Sequence, residues 1–183
     1  ILRYLLLNDA LIKCYSSDSV VESRINRSIT KGSSMNIAFI GFGNVGAPLA
    51  DQLQRLGHHV VLAARDPESA SVKAALQRNA NLSVATPTEA VAQAGVVFLA
   101  TPYQANEAAL KEVQEQLKGK ILVDCTNPVG ANLSHGLNSE QSGSEVIQAM
   151  LPNTQVVKAF TIYGFENFEI GAIADYPQIP VMM

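Results

Sequence analysis

A chain of 183 residues, 48% hydrophobic and 16% charged, can build one domain with a buried core and is too apolar for a disordered chain. Its net charge of −3 and the lack of any basic run exclude a general attraction for nucleic acid or an anionic membrane surface. No apolar run reaches the length of a membrane-spanning helix, and the two cysteines, Cys14 and Cys125, lie too far apart for a metal-binding spacing.

The chain starts at Ile1, and Met35 stands where the first strand of the fold is expected. Residues 1–34 carry one short apolar patch, Leu5–Leu7, then a Ser-rich stretch of mixed charge. They read as an extension or linker outside the fold, upstream of a domain over 35–183. The patch is short for a signal peptide, and Asp9, Asp18 and Glu22 make the segment more acidic than a transit peptide.

At Met35 the pattern changes. An almost wholly apolar run to Ile40 suits a strand buried on both faces. Gly41-Phe42-Gly43-Asn44-Val45-Gly46 follows, and Val45, Leu49, Leu53 and Leu56 then recur at helical spacing. Strand, Gly-x-Gly-x-x-Gly turn and helix in that order make the fingerprint of a dinucleotide site. Gly41 permits the tight turn, Gly43 lets the backbone approach a pyrophosphate, and Gly46 brings the helix close to the strand. The helix N-terminus then offers free N–H groups to phosphate.

Gly57 is placed to cap that helix. His58-His59 reads as a solvated turn, since nothing nearby completes a metal set. Val60–Ala64 makes a second buried strand with Arg65 directly after it. At this strand end an Asp or Glu would bind a ribose 2′-hydroxyl and repel a 2′-phosphate. Ala64 occupies that place, and Arg65 can pair with phosphate and stack on adenine, which favours NADP over NAD. Asp66, ahead of Pro67, is expected to cap the helix that runs on to Arg78. Leu82–Ala85 is a short strand, and Thr86-Pro87-Thr88-Glu89 is a capping box opening a helix that stops at Gly95.

Val96–Ala100 is the fourth strand. Loops beyond the carboxyl ends of a doubly wound sheet line its crevice, so Thr101-Pro102-Tyr103 should face the cofactor. Asn106–Lys118 is amphipathic through Ala109, Leu110, Val113 and Leu117, with Gly119 as its stop. Ile121–Cys125 is the fifth strand; Cys125 reads as a buried thiol, so a reducing, cytoplasmic setting is expected. Thr126-Asn127-Pro128-Val129 is the next crevice loop, and Asn127-Pro128 is a place for a cis bond. Residues 130–143 form a polar loop in which His135 is solvated. Ser142-Gly143-Ser144-Glu145 opens a helix stopping at Pro152, and Gln155–Phe160 is the sixth strand. Pro180–Met183 reads as the start of a strand cut short, so the domain is expected to be truncated at its C-terminus. Strands alternating with helices predict an α/β fold, a doubly wound, mostly parallel sheet of the Rossmann type.

Five stretches, taken together, carry a resemblance: Gly41–Gly46, Ala64-Arg65-Asp66-Pro67, Leu99-Ala100-Thr101-Pro102, Thr126-Asn127-Pro128-Val129 and Val157-Lys158-Ala159-Phe160. From Met35 to Met183 the chain resembles the NADP-binding domain of the F420-dependent NADP oxidoreductases, whose relatives include the cytosolic domains of STEAP-type ferric reductases. The resemblance implies hydride transfer between NADP(H) and a flat redox acceptor, F420 (a deazaflavin), a flavin-like molecule or another small redox acceptor. It implies that Phe42, Gly43, Asn44 and Val45 hold the pyrophosphate and ribose, and that Arg65 takes the 2′-phosphate. Tyr103, Val129 and the Gly164-Phe165 corner would lie beside the nicotinamide half, with Asn127 in the same crevice loop. The chain departs from the family at Ala64, where many members have Ser or Thr, at Phe42, where a small or hydroxyl residue would aid phosphate binding, and at Thr161-Ile162. The resemblance implies a final segment beyond Met183 that helps form the partner pocket and a dimer contact, so a homodimer is among the expected partners.

The residues themselves offer no Ser-His-Asp or Cys-His set, no metal cluster and no buried pair of acids, so no catalytic side chain is assigned. Hydride transfer would rest on positioning. Two other readings share the fold: a redox-sensing module that binds NADP(H) without turnover, and the N-terminal cofactor domain of a larger dehydrogenase of the pyrroline-carboxylate reductase or phosphogluconate dehydrogenase type.

Overall fold

The computed structural model describes residues 2–7, 10–15, 34–129, 136–138, 140–161, 172–173 and 176–180. The strands are β1 (Leu2–Leu7), β2 (Ala10–Tyr15), β3 (Asn36–Ile40), β4 (His59–Ala63), β5 (Ser83–Ala85), β6 (Val96–Leu99), β7 (Ile121–Asp124) and β8 (Gln155–Lys158). They form one sheet in the order β1-β2-β8-β7-β6-β3-β4-β5. From β3 to β8 every pairing is parallel. The helices are α1 (Gly46–Arg55), α2 (Ala70–Arg78), α3 (Pro87–Gln93), α4 (Asn106–Leu117) and α5 (Gly143–Met150). A separate two-stranded sheet joins β9 (Ala172–Ile173) to β10 (Tyr176–Pro180).

Two cores, one on each face, explain the continuous apolar strands. Ile37 and Phe39 of β3 share one cluster with Leu49 and Leu53 of α1 and Ala75 of α2. Ala38 and Ile40, alternating with them, join Ala90 of α3, Leu110 and Val113 of α4 and Ile147 of α5. A strand covered on both sides has no polar face to keep, so its period-2 signal disappears. Phe39 stacks on Phe98 of β6, ring centroids 4.7 Å apart, at the centre of the first cluster.

Beyond β3 the chain winds outward through β4 and β5, then returns to β6 on the other side and continues through β7 and β8. The junction of β3 and β6 is therefore the topological switch point, and the crevice outside its carboxyl ends is where such sheets bind ligands. This is the doubly wound Rossmann architecture that the alternation of elements predicts.

The remaining differences are local. Residues 1–34 read as lying outside the fold, yet β1 and β2 pair antiparallel from Leu2↔Tyr15 to Leu7↔Ala10, and β2 meets β8 at Tyr15↔Lys158. Two apolar runs flank Asn8-Asp9, residue types that favour turns, and this signal is visible only when the patch is not read alone. The sixth strand ends at Lys158 rather than Phe160, whose φ of +60° leaves the extended region. No cis peptide occurs among the described residues, so Asn127-Pro128 is trans. His58 is not solvated: it is 4% exposed, and its Nδ1 accepts a hydrogen bond from the Met35 N–H at 3.2 Å. Asp66 does not cap a helix side-on; its carboxylate accepts from the Glu68 N–H at 2.9 Å, and α2 begins later, with Ser69 as N-cap.

Candidate functional site

The glycine turn is fixed by what surrounds it. Gly41 has φ +88°, and a Cβ there would lie 2.7 Å from the Ala100 carbonyl carbon, at the end of β6. A Cβ on Gly46 would sit 2.2 Å from the Gly41 carbonyl oxygen and 3.1 Å from Ala100 Cβ. Gly46 thus closes the turn on itself as well as bringing α1 against the sheet. Gly43 differs from both: a Cβ there would meet nothing within 4 Å, so its backbone faces open space. The N-cap of α1, Val45, makes no side-chain capping bond, and no acidic residue stands in the first turn.

Beside the turn lies a cavity of ≈ 330 Å³ that brings Gly41, Phe42, Ala64, Arg65 and Thr101 together. Its far wall is a stripe of α4 and the turn before it, Ala105, Ala108, Ala109 and Glu112. Arg65 reaches across the opening to Glu112: Nε donates to Oε2 at 2.7 Å, and Nη2 lies 2.5 Å from the same oxygen. This hydrogen bond and the charge of Glu112 raise the Arg65 pKa further above its ordinary value. The Arg65 side chain stays 66% exposed.

A second group of polar residues runs along the carboxyl ends of β6, β7 and β8. Thr101 Oγ1 donates to Asn106 Oδ1 at 2.7 Å, and Asn106 Nδ2 donates to Thr126 Oγ1 at 2.9 Å. Thr126 in turn donates from Oγ1 (2.7 Å) and from its N–H (2.9 Å) to Asp124 Oδ1. The other oxygen of Asp124 accepts from Ser144 Oγ at 2.6 Å and pairs with Lys158 Nζ at 3.1 Å. Lys158 also donates to the Thr126 carbonyl. Asp124 is fully buried, so these partners are what keep its charge tolerable there. Tyr103, in a 3₁₀ turn (Tyr103–Ala105), packs against the position of Gly143; burial, and then the Asp124 charge, raise its pKa. Gln104 Nε2 donates to the Val129 carbonyl at 2.8 Å, tying the two crevice loops together.

The expected site residues therefore divide. Gly41, Phe42, Ala64, Arg65 and Thr101 line the cavity, and Gly43, Asn44, Val45 and Gly46 build the turn at its rim. Pro102, Tyr103, Asn127 and Val129 sit further along the carboxyl edge; Val129 is 43% exposed and Asn127 is exposed. Phe165 and His135 lie outside the described residues. Sequence reasoning misses Glu112, Asn106, Asp124, Ser144 and Lys158. One trace of them exists: Asp124 and Lys158 end successive strands and fall opposite each other in the ladder.

Strand order, glycine turn and crevice together define a Rossmann-type dinucleotide-binding domain. Comparison with known proteins narrows this. The family model "NADP oxidoreductase coenzyme F420-dependent" matches residues 36–128, just over half of the chain, and the chain belongs to that family. The F420-dependent NADP reductase of Methanothermobacter marburgensis is 37% identical over 106 residues, 54% of this chain and 47% of that protein. Metalloreductase STEAP3 of Rattus norvegicus is 33% identical over 131 residues, 69% of this chain and 24% of that protein. A solved structure from Arthrobacter sp. FB24, assigned as an F420-dependent NADP reductase, superposes with a TM-score of 0.67 at 32% identity, covering 73% of this chain and 65% of that one. The chain thus spans under half the length of the first curated relative and about a quarter of the second. No helix among the described residues is long and apolar enough to cross a membrane.

Proposed function

We propose that this chain binds NADP(H) through the Gly41–Gly46 turn and Arg65, and that it serves hydride transfer between NADP(H) and a small redox acceptor, F420 or a flavin-like molecule. One observation carries the reading. Arg65, next to Ala64 at the end of β4, opens onto the same cavity as the glycine turn. A carboxylate at that strand end would repel a 2′-phosphate; a guanidinium beside an alanine does not. The turn fits the rest of the cofactor, since Gly43 faces open space and the α1 N-terminus lacks a side-chain cap.

In this reading the backbone N–H groups from Phe42 to Gly46 and the α1 dipole take the pyrophosphate, and Arg65 turns to the 2′-phosphate. The bound nicotinamide supplies the hydride chemistry. Thr101, Tyr103, Asn127 and Val129, on the loops after β6 and β7, orient its half of the crevice, and Phe165 is assigned to the same side from the family resemblance. The Asp124 network holds those loops in place from below. No side chain is assigned a proton-transfer role, because hydride transfer depends chiefly on near-contact distance and alignment.

The name of the Methanothermobacter protein supports F420 as acceptor, and the rat protein, named for metal reduction, is the reason to include a ferric acceptor in the test. The test follows the oxidation of NADPH by absorbance, with F420, a free flavin and a ferric chelate as acceptors. Turnover with F420 or a flavin and not without acceptor is the expected result. NADPH binding with no turnover on any acceptor would instead support the sensing module, and would remove the enzymatic part of the proposal.

A further inference from the structure

We infer that Glu112 tunes how strongly the crevice prefers a 2′-phosphorylated adenosine, by holding Arg65 away from the phosphate. The inference rests on the NADP reading above and deepens it. Among the described residues lining the cavity, Arg65 is the single cation, and both Asp66 and Glu112 are acids. One edge of the guanidinium, Nε and Nη2, is engaged by a single Glu112 oxygen. That planar edge is one of the two through which a guanidinium recognises phosphate bidentately.

Glu112 reaches Arg65 because of where it lies on α4. Ala105, at the N-cap of α4, and Ala108, Ala109 and Glu112 within it recur at helical spacing and line the cavity. Three alanines leave room for a ligand against that wall, and the fourth position carries the charge. A dianionic 2′-phosphate arriving at Arg65 must take the guanidinium from the Glu112 carboxylate, whereas an unphosphorylated 2′-hydroxyl need not. Glu112 therefore weakens binding of the phosphorylated nucleotide selectively. Ala64, lacking a hydroxyl, adds no contact to offset it.

The test measures binding of 2′,5′-ADP and of 5′-AMP to the full chain by calorimetry, probes that need only the adenosine end of the site. Four proteins are compared: the parent, Glu112→Gln, Arg65→Ala and the double variant. Glu112→Gln keeps shape and removes charge at a partly exposed position, so a thermal melt matching the parent is expected. Surface ion pairs of this kind contribute up to ~1 kcal/mol, so Glu112→Gln should tighten 2′,5′-ADP by about two- to fivefold and leave 5′-AMP unchanged. The gain should shrink at high salt, and it should vanish in the Arg65→Ala background. If Arg65→Ala weakens 2′,5′-ADP but Glu112→Gln leaves the ratio of the two affinities unmoved, the inference is overturned and the NADP reading stands. A gain that persists without Arg65 also overturns it. If Arg65→Ala leaves 2′,5′-ADP binding untouched, or the parent binds neither probe, the NADP reading itself fails and takes the inference with it.

Discussion

Two glycines three residues apart in the same turn carry different demands. At Gly46 the clash would be with a carbonyl oxygen 2.2 Å away, which belongs to the backbone and has nowhere to go. Gly46→Ala is expected to cost about 1–3 kcal/mol, the range for overpacking, seen as a lowered urea midpoint. Gly43→Ala meets open space and should leave that midpoint within about 0.5 kcal/mol of the parent. In the proposed function it nonetheless weakens NADPH binding, by about two- to tenfold, the equivalent of one displaced hydrogen bond. If Gly43→Ala leaves NADPH binding unchanged, the pyrophosphate does not sit on this turn. His58 is a residue of another kind, buried with Nε2 unpartnered among the described residues. Burial first, then the neighbouring His59, lowers its pKa from 6.5. The unfolded chain then takes up a proton at higher pH than the folded one, so this contribution is full above about pH 6.5 and is lost as pH falls below it. His58→Asn, which keeps an acceptor for the Met35 N–H, should flatten the acid side of a stability–pH curve between pH 7 and 5. An unchanged curve would show that His58 does not titrate on unfolding.

At the scale of elements, helix ends show what a sequence reveals and what it hides. The capping boxes of α3 and α5 are local: Thr86 with Glu89 and Ser142 with Glu145 are three residues apart, and both form in full. The other end of α3 is satisfied from far away. Lys120 Nζ, just before β7, donates to the carbonyls of Val91, Ala92 and Ala94 at 2.6, 2.7 and 2.6 Å. No spacing rule in the chain announces a contact across 26 to 29 positions. Lys120→Met removes a cation from the negative end of the helix and leaves three carbonyls without that donor. A loss of about 1–2 kcal/mol is expected in chemical denaturation, and a loss near zero would mean water replaces the ammonium freely. The glycine stops behave like the capping boxes: Gly57 and Gly119 take φ of +92° and +75°, as their places after helices foretell. The pair β1 and β2 escapes such reading because only the partner run reveals a short apolar patch as a strand.

Across the whole molecule the fold is legible because it rests on periodicity. Apolar runs flanked by amphipathic helices require a sheet buried on both faces, and the two clusters split by alternate residues of β3 are that requirement met. Half of the candidate site is legible for the same reason, since turn, strand end and crevice loop follow from chain order alone. The other half is made by register and helix orientation. Asp124 meets Lys158 because β7 and β8 lie side by side in phase, and Glu112 meets Arg65 because one stripe of α4 faces the end of β4. Both pairs join residues 34 and 47 positions apart and both couple charge to the crevice. The proposed function stands or falls on recognition of the 2′-phosphate of NADP(H) by Arg65. The direct measurement is a side-by-side titration of NADPH and NADH at low salt, on the parent and on Arg65→Ala. Tighter binding of NADPH than NADH, with the difference abolished by the substitution, is the predicted result. Equal affinities that the substitution leaves unchanged would contradict it.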